Sequence, residues 1–282
     1  MMAAGIFPAP YSESPAAAQS SGVTVEIGGI PIFLETRDAG FRALLAERYA
    51  GFVNHSAAPA YEFEIRLEAP GRQSDEDARV SRSGPVWRLE RGDFLAEWDT
   101  RSRRGWVRQS PNPYSIDTVL RIVHSLVLAE GGGFLVHAAS GVRHGRAFVF
   151  AGISGAGKTT LARLAPADTV VLTDEISYIR PSASGTGYVA YGTPFAGELA
   201  RVGANLRAPL AALYFLEKGP VGRIEPVGEL AASRELLRHI LFFAHDQELV
   251  NRVFASALEF VSRVPVARFA FAPDERAWEL VR

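Results

Sequence analysis

The chain has 282 residues, of which 48% are hydrophobic and 22% charged, so it can bury a core and is not disordered as a whole. Its 31 acidic and 30 basic residues leave a formal net charge of −1, which argues against a general binder of nucleic acid or anionic membranes. No cysteine and no long apolar run occur, which excludes disulfides and thiolate metal sites and predicts a soluble, cytoplasmic protein without a membrane span.

The first 130 residues predict a leader followed by a small α+β domain. Residues 1–21 are rich in Ala, Pro and Ser and predict a disordered leader. Within 22–130, alternating patterns predict strands at 23–27, 30–34, 61–67, 86–89, 94–99 and 105–108. Apolar residues at helical spacing predict a helix over Ser115–Glu130 with Ser115 as its N-cap. No motif assigns this domain a role.

From residue 131 onward the pattern changes to short, wholly apolar strands separated by turns and helices. Such strands are typical of a sheet that is covered on both faces. The predicted strands are 134–138, 147–151, 170–172, 210–216 and 266–271, and the predicted helices are 226–244, 246–262 and a last one through Val281. We therefore predict a second domain, 131–282, of the α/β class.

A phosphate-binding motif follows the second of these strands. The pattern G-x-x-x-x-G-K-[ST] is completed by Gly152, Ile153, Ser154, Gly155, Ala156, Gly157, Lys158 and Thr159, and Thr160 continues into a helix. Glycines let the backbone turn its N–H groups toward an anion, while the lysine binds phosphate and the threonine hydroxyl can coordinate Mg²⁺. Only two of the 30 basic residues are lysines, which favours a specific role for the one in this motif.

An acidic pair comes shortly after the motif. Asp174, sixteen positions after Lys158, and Glu175 follow the apolar residues 170–172 and one threonine. A buried strand that ends in a carboxylate is typical of the strand that presents an acid to Mg²⁺ beside a phosphate loop. The alternative is a solvated acidic turn, which the neighbouring motif disfavours.

In this order the motifs resemble the C-terminal kinase domain of HPr kinase/phosphorylase and its HPr-kinase-like relatives. The resemblance rests on Val136-His137-Ala138-Ala139, on the very short helix before Pro166, and on the close spacing of lysine and acid. It covers about 134–271 and includes Tyr191–Glu198, which is similar to a GTPF-x-GE element of the wider group. It implies a P-loop kinase core, a sheet flanked by helices, preceded here by the smaller α+β domain.

The resemblance also implies roles for individual residues. Lys158 would bind the phosphates, Thr159 would bind Mg²⁺, and Asp174 would be the base that takes the proton from an acceptor hydroxyl. The second carboxylate on the metal side would be that of Glu175 or of Glu198. His137 would lie beside the transferring phosphate, and the alternative for it is a histidine that is hydrogen-bonded at the end of a strand.

We therefore predict an enzyme, a kinase that uses ATP and Mg²⁺ to phosphorylate a hydroxyl group. The expected acceptor is a serine of a protein or peptide, or a small molecule, with no nucleic-acid or membrane partner, and homo-oligomerisation is left open. One alternative is a nucleotide-binding switch or ATPase that regulates a partner through the N-terminal domain. Another is a protein that holds the nucleotide only as a structural ligand.

Overall fold

The computed structural model describes residues 21–69, 77–199, 202–219 and 222–281. Residues 1–20, which hold almost all of the predicted leader, lie outside the described residues. In the described ranges the chain forms two sheets with a long helix between them in sequence. None of the helices in these ranges combines the length and apolar character that crossing a bilayer requires.

The first sheet has seven strands in the order β1-β2-β3-β7-β6-β5-β4. Its elements are β1 (Gly22–Ile27), β2 (Ile30–Thr36), α1 (Ala39–Arg48), β3 (Tyr61–Leu67), β4 (Arg79–Ser83), β5 (Val86–Arg91), β6 (Phe94–Asp99) and β7 (Arg104–Gln109). β3 pairs in parallel with β2 and with β7, and the other neighbours pair antiparallel. The six strands predicted here are confirmed because alternating burial is a local property of the sequence.

Helix α2 (Pro113–Glu130) joins the two sheets along the chain. It begins two residues earlier than predicted, with Asn112 rather than Ser115 as the N-cap. The Asn112 side chain accepts hydrogen bonds from the N–H groups of Tyr114 and Ser115, and a proline at the first helical position suits this start. The Ser115 hydroxyl instead donates to Asp93 at 2.7 Å, which ties the helix to the first sheet.

The second sheet has nine strands, and the sequence motifs lie in these strands and in the segments that connect them. Its elements are β8 (Phe134–Arg143), β9 (Arg146–Ala151), α3 (Lys158–Arg163), β10 (Thr169–Thr173), β11 (Ile176–Pro181), β12 (Tyr188–Tyr191), β13 (Arg207–Lys218), β14 (Arg223–Pro226), α4 (Glu229–His239), β15 (Ile240–Leu241), α5 (Gln247–Arg263) and β16 (Val266–Phe271). The five predicted strands lie within these, while the predicted helix 226–244 is reduced to α4 and the last helix to a 3₁₀ turn, Glu275–Glu279.

Five of these strands close into a ring. β8 pairs with β11, β11 with β12, β12 with β13, β13 with β9, and β9 with β8 again. Only the pair β13–β9 is parallel within the ring. The remaining strands extend the sheet from β8 and β13. We call β8, β11, β12, β13 and β9 the closed ring.

The predicted fold class is therefore wrong. The second region is not an α/β P-loop kinase core with a sheet flanked by helices but a closed β-barrel within a large mixed sheet. Wholly apolar strands predict a sheet that helices cover on both faces. A closed ring also buries both faces of its strands. The side chains on one face fill the interior of the ring, and those on the other face pack against elements outside it. Wholly apolar runs do not distinguish these two arrangements.

One hydrophobic core continues from the first sheet into the second. Phe63 and Trp87 of the first sheet, Ile122 of α2, and Leu135 and Ile176 of the second sheet belong to the same buried cluster. The predicted domain boundary, between residues 130 and 131, falls at the end of α2, and this core crosses it. The division into domains stays a prediction.

Candidate functional site

The segment that holds the predicted phosphate-binding motif, residues 152–157, leaves β9 and leads directly into α3; after that prediction we call it the phosphate loop. Gly155 and Gly157 have φ angles of 76° and 109°, where side chains are strained. A Cβ at Gly157 would also lie only 2.8 Å from the ring of Phe271. The N–H of Ala156 donates to the carbonyl of Ile153 at 3.1 Å and closes the turn. The sequence thus folds this segment into the tight turn that the motif predicts.

The other residues of the motif differ in exposure. Gly152 is buried, Ile153 and Ser154 are exposed, and Thr159 and Thr160 are half-buried in the first turn of α3. The exposed side of the loop is therefore open to a ligand, while its base is anchored in the protein.

Lys158 is buried, with 7% of its surface exposed. Its Nζ donates to the carbonyl oxygens of Gly152 at 2.9 Å and Ile153 at 3.3 Å. Burial lowers the pKa of Lys158, and the charges of Glu175 and Glu198 oppose this shift. No described carboxylate forms an ion pair with the ammonium group. A buried cation that has only carbonyl partners is suited to receive an anion.

The acidic pair, Asp174 and Glu175, lies in a break between two strands. β10 and β11 both run antiparallel to β8, and the register shifts by one residue near the end of β10. The hydroxyl oxygen of Thr173 accepts hydrogen bonds from the N–H groups of Glu175, at 3.1 Å, and Ile176, at 3.2 Å. These bonds hold the backbone in a turn between the two strands. The acids are therefore not at the free end of a strand but in the middle of an interrupted one.

Asp174 is almost completely buried, with 3% of its surface exposed. Its Oδ1 accepts the N–H of Gly197 at 3.0 Å, and its Oδ2 accepts the N–H of Leu199 at 2.9 Å. The residue between them is Glu198, whose side chain is exposed. With both oxygens already hydrogen-bonded, Asp174 fixes the segment that carries Glu198.

Glu175 faces His137 of β8. Glu175 Oε1 lies 3.6 Å from His137 Nε2, and about a third of each side chain is exposed. Burial and the charge of Lys158 lower the pKa of His137, while Glu175 opposes this. A Cβ at Gly197 would lie 2.8 Å from Glu175 Oε2 and 2.9 Å from Asp174 Oδ2, so the two carboxylates flank this glycine. The structure thus brings the histidine and the acidic pair to one place.

The residues predicted to bind metal do not form a cage of acids. Thr159 is half-buried at the start of α3, and the charges of Glu175 and Glu198 act on Lys158. In the described part of the chain, no three histidine or carboxylate side chains are grouped as a metal site would require.

Two residues that the sequence did not single out lie beside this site. Arg121 of α2 stacks on Phe195, and its charge acts on His137. His239, at the end of α4, stacks on Phe215 with 5.9 Å between ring centres. Burial, followed by the charges of His137 and Lys158, lowers the pKa of His239. Neither residue belongs to a motif, and only the tertiary structure brings them here.

A family model described as SynChlorMet cassette protein ScmC matches residues 112–281. The match covers well over half of the chain and includes α2, the second sheet and all of the site residues above. No curated protein has a sequence that matches this chain significantly. The predicted membership of the HPr kinase/phosphorylase-like family is wrong, because the family found is a different one and the matched region holds a closed ring instead of the implied core.

Proposed function

The chain belongs to the SynChlorMet cassette protein ScmC family, and we propose that it binds ATP with Mg²⁺ and transfers the γ-phosphoryl group to a hydroxyl. The observation that carries this proposal is the buried ammonium of Lys158 inside the phosphate loop, bonded only to loop carbonyls. A triphosphate would supply the negatively charged partner that this ammonium lacks.

The oxygen donors near the loop fit Mg²⁺. A threonine hydroxyl and one or two carboxylates are what this ion takes from a protein when nucleotide phosphates and water supply its other ligands. Thr159, which is half-buried, and Glu198, which is exposed, are the residues that would hold it. When bound, the ion neutralises charge that develops on the phosphoryl group.

In this proposal the carboxylate of Glu175, which lies beside His137, takes the proton of the acceptor hydroxyl. The two side chains are partly exposed and 3.6 Å apart, whereas both oxygens of Asp174 are engaged. As the acceptor oxygen bonds to the γ phosphorus, the bond between that phosphorus and the β–γ bridging oxygen breaks, and ADP leaves with the electron pair. We therefore assign to Glu175 the role of base that the resemblance implies for Asp174.

The acceptor is a hydroxyl compound, either a serine of a protein or peptide or a small molecule, and the reaction takes place in the cytoplasm. The near-neutral charge of the chain does not favour nucleic acid or anionic membranes as partners. A second function, hydrolysis of ATP in a nucleotide-dependent switch, is favoured by the same exposure of Glu175 and His137, since such a pair can also accept a proton from water.

The test is to incubate the purified protein with γ-labelled ATP, Mg²⁺ and an extract of its source organism. Labelled protein, labelled small molecules and free phosphate are then separated. The variant Lys158→Ala removes the loop lysine, and Lys218→Ala removes the exposed lysine at the end of β13 as a matched control.

The proposal expects label in a protein or a small molecule, lost with Lys158→Ala and kept with Lys218→Ala. Free phosphate alone, formed at the same rate without extract, supports the switch instead. No movement of label, combined with a rise in melting temperature on adding ATP, contradicts both and leaves a structural ligand.

A further inference from the structure

The buried face of α2 carries an unusual set of polar side chains. Asp117, Arg121 and His124 are spaced four and three residues apart, so they lie along one side of the helix. Asp117 and His124 are buried, and Arg121 is half-buried. This face points into the protein, where each charged group needs a partner.

Asp117 has its partners in α1 and just beyond it. Its carboxylate accepts hydrogen bonds from Arg48, through Nε at 3.1 Å and through a second nitrogen, and also from the Tyr49 hydroxyl. An aspartate at this spacing is the usual helical partner of an arginine four residues later. Here Arg48 and Tyr49 occupy it, and it forms no ion pair with Arg121.

Arg121 is left with a ring as its packing partner. Its guanidinium carbon lies 5.0 Å from the ring centre of Phe195. Its Nε is buried and has no hydrogen-bond partner among the described residues. Burial lowers the pKa of Arg121, and Asp117 and Glu175 oppose this shift. The side chain is thus a half-buried cation whose buried Nε has no acceptor, close enough to Glu175 and His137 to interact with both electrostatically.

We propose that Arg121 is a phosphate-binding residue of the site, lying on the Glu175 side and facing phosphate oxygens together with Lys158. A guanidinium presents a planar fork of donors that matches two phosphate oxygens. A phosphate group there would give Nε a hydrogen-bond acceptor. It would also supply the negative charge that Asp117 does not provide to Arg121, because Asp117 is paired with Arg48. This inference rests on the proposed function and extends it by one residue.

The phosphate could be the γ-phosphoryl group of the nucleotide or the phosphate on the product. Both present the same oxygens to an arginine. Three probes separate them by calorimetric titration: Mg·ADP, Mg·AMP-PNP, and inorganic phosphate added to the protein saturated with Mg·ADP. Only the second probe carries a γ group, and only the third represents a free product-side phosphate.

The variants are Arg121→Met, which keeps packing on Phe195 without the charge, and Arg121→Lys, which keeps the charge without the fork. Arg91→Met is the matched control. Arg91 also stacks on a phenylalanine, 5.2 Å from the ring of Phe94, but it is paired with Asp93 outside the site. Lys158→Ala reports separately on the phosphate loop.

We expect Arg121→Met to bind Mg·ADP as the wild type does and to bind Mg·AMP-PNP or phosphate about tenfold or more weakly, with partial recovery in Arg121→Lys. A loss with Mg·AMP-PNP assigns the contact to the nucleotide, and a loss with phosphate alone assigns it to the product. We also expect the ligand-free melting temperature not to fall, because the variant removes a half-buried charge that has no ion-pair partner among the described residues.

Two results with Arg121→Met would overturn the role of Arg121 and leave it a packing residue. One is unchanged binding of both Mg·AMP-PNP and phosphate. The other is a loss of Mg·ADP affinity as large as the loss for these probes, together with a lower melting temperature. Different results would contradict the proposed function: the wild type would bind no nucleotide, or Lys158→Ala would bind it as the wild type does. In that case titration of inorganic phosphate into the nucleotide-free protein still decides whether Arg121 binds phosphate.

Discussion

At the scale of single residues, His124 couples the stability of the protein to pH. Its Nδ1 lies 3.2 Å from the Tyr178 hydroxyl, and its Nε2 is buried without a hydrogen-bond partner among the described residues. Burial, and to a lesser degree the charge of Arg180, lowers the pKa of His124 to about 3. The folded protein therefore keeps this ring neutral, while the unfolded chain protonates it below a pH of about 6.5.

Because the unfolded state binds the extra proton, the contribution of His124 is complete above about pH 6.5 and is lost as the pH falls toward 3. Within this window the free energy of unfolding falls by up to about 1.4 kcal/mol per pH unit. We expect the wild type to lose about 2 kcal/mol more than His124→Gln between pH 7 and pH 5, as measured by urea unfolding. Equal losses in the two proteins would contradict a buried neutral histidine.

The two neighbouring acids are expected to differ when each is neutralised. Glu175→Gln leaves the contacts of Asp174 in place and removes the carboxylate that faces His137. It should lower the rate of phosphoryl transfer by about a hundredfold or more at an unchanged melting temperature. Asp174→Asn removes an acceptor from the N–H of Gly197 or of Leu199 and should lower the melting temperature. Loss of activity with full stability in Asp174→Asn alone would return the role of base to Asp174.

At the scale of elements, α1 and α2 are joined by a buried ion pair. The side chain of Asp117 is 5% exposed and that of Arg48 is 24% exposed. Arg48→Met leaves the carboxylate buried with the Tyr49 hydroxyl as its remaining donor, so we expect a loss of about 3 kcal/mol in the free energy of unfolding. Arg252→Met breaks an exposed pair within α5, with Glu248, and should cost less than about 0.5 kcal/mol. Similar losses in the two variants would show that the buried pair has no special weight.

The elements that the sequence predicted are those that local patterns define. Alternating burial located six strands of the first sheet, and the glycines of one motif located the tight turn before α3. The strands β11 and β12 were not predicted; they flank a turn rich in glycine and serine, 182–187, which hides their pairing from a local pattern. These two strands close the ring, so missing them also made the predicted fold class wrong.

The site was predicted only as far as its motifs extend. The sequence identified Lys158, the acidic pair and His137, and the structure brings them together. Nothing in the local sequence marks Arg121, since it packs on Phe195, which is distant in the sequence. Likewise, nothing local showed that both oxygens of Asp174 would be occupied by the backbone of residues 197 and 199.

At the scale of the whole molecule, the shared core predicts one unfolding transition. Trp87, Trp98 and Trp106 lie in the first sheet, and Trp278 packs against α3 and Phe150. In Trp278→Phe, fluorescence therefore reports on the first sheet alone, while far-UV circular dichroism reports on the whole chain. Because one buried cluster crosses the predicted boundary, we expect the two urea midpoints to coincide. Separate midpoints would mean that the two sheets unfold independently.

The contacts of Asp174 also make the site visible by hydrogen exchange. The amides of Gly197 and Leu199 donate to this one buried carboxylate, so their exchange with solvent deuterium follows the opening of a single local structure. Measured by nuclear magnetic resonance, the exchange of these two amides should slow together when a ligand binds at the site and become faster together when the acidic pair is disturbed. The exchange rates of these two amides therefore report whether a ligand is bound, and the measurement needs neither a labelled substrate nor a known acceptor.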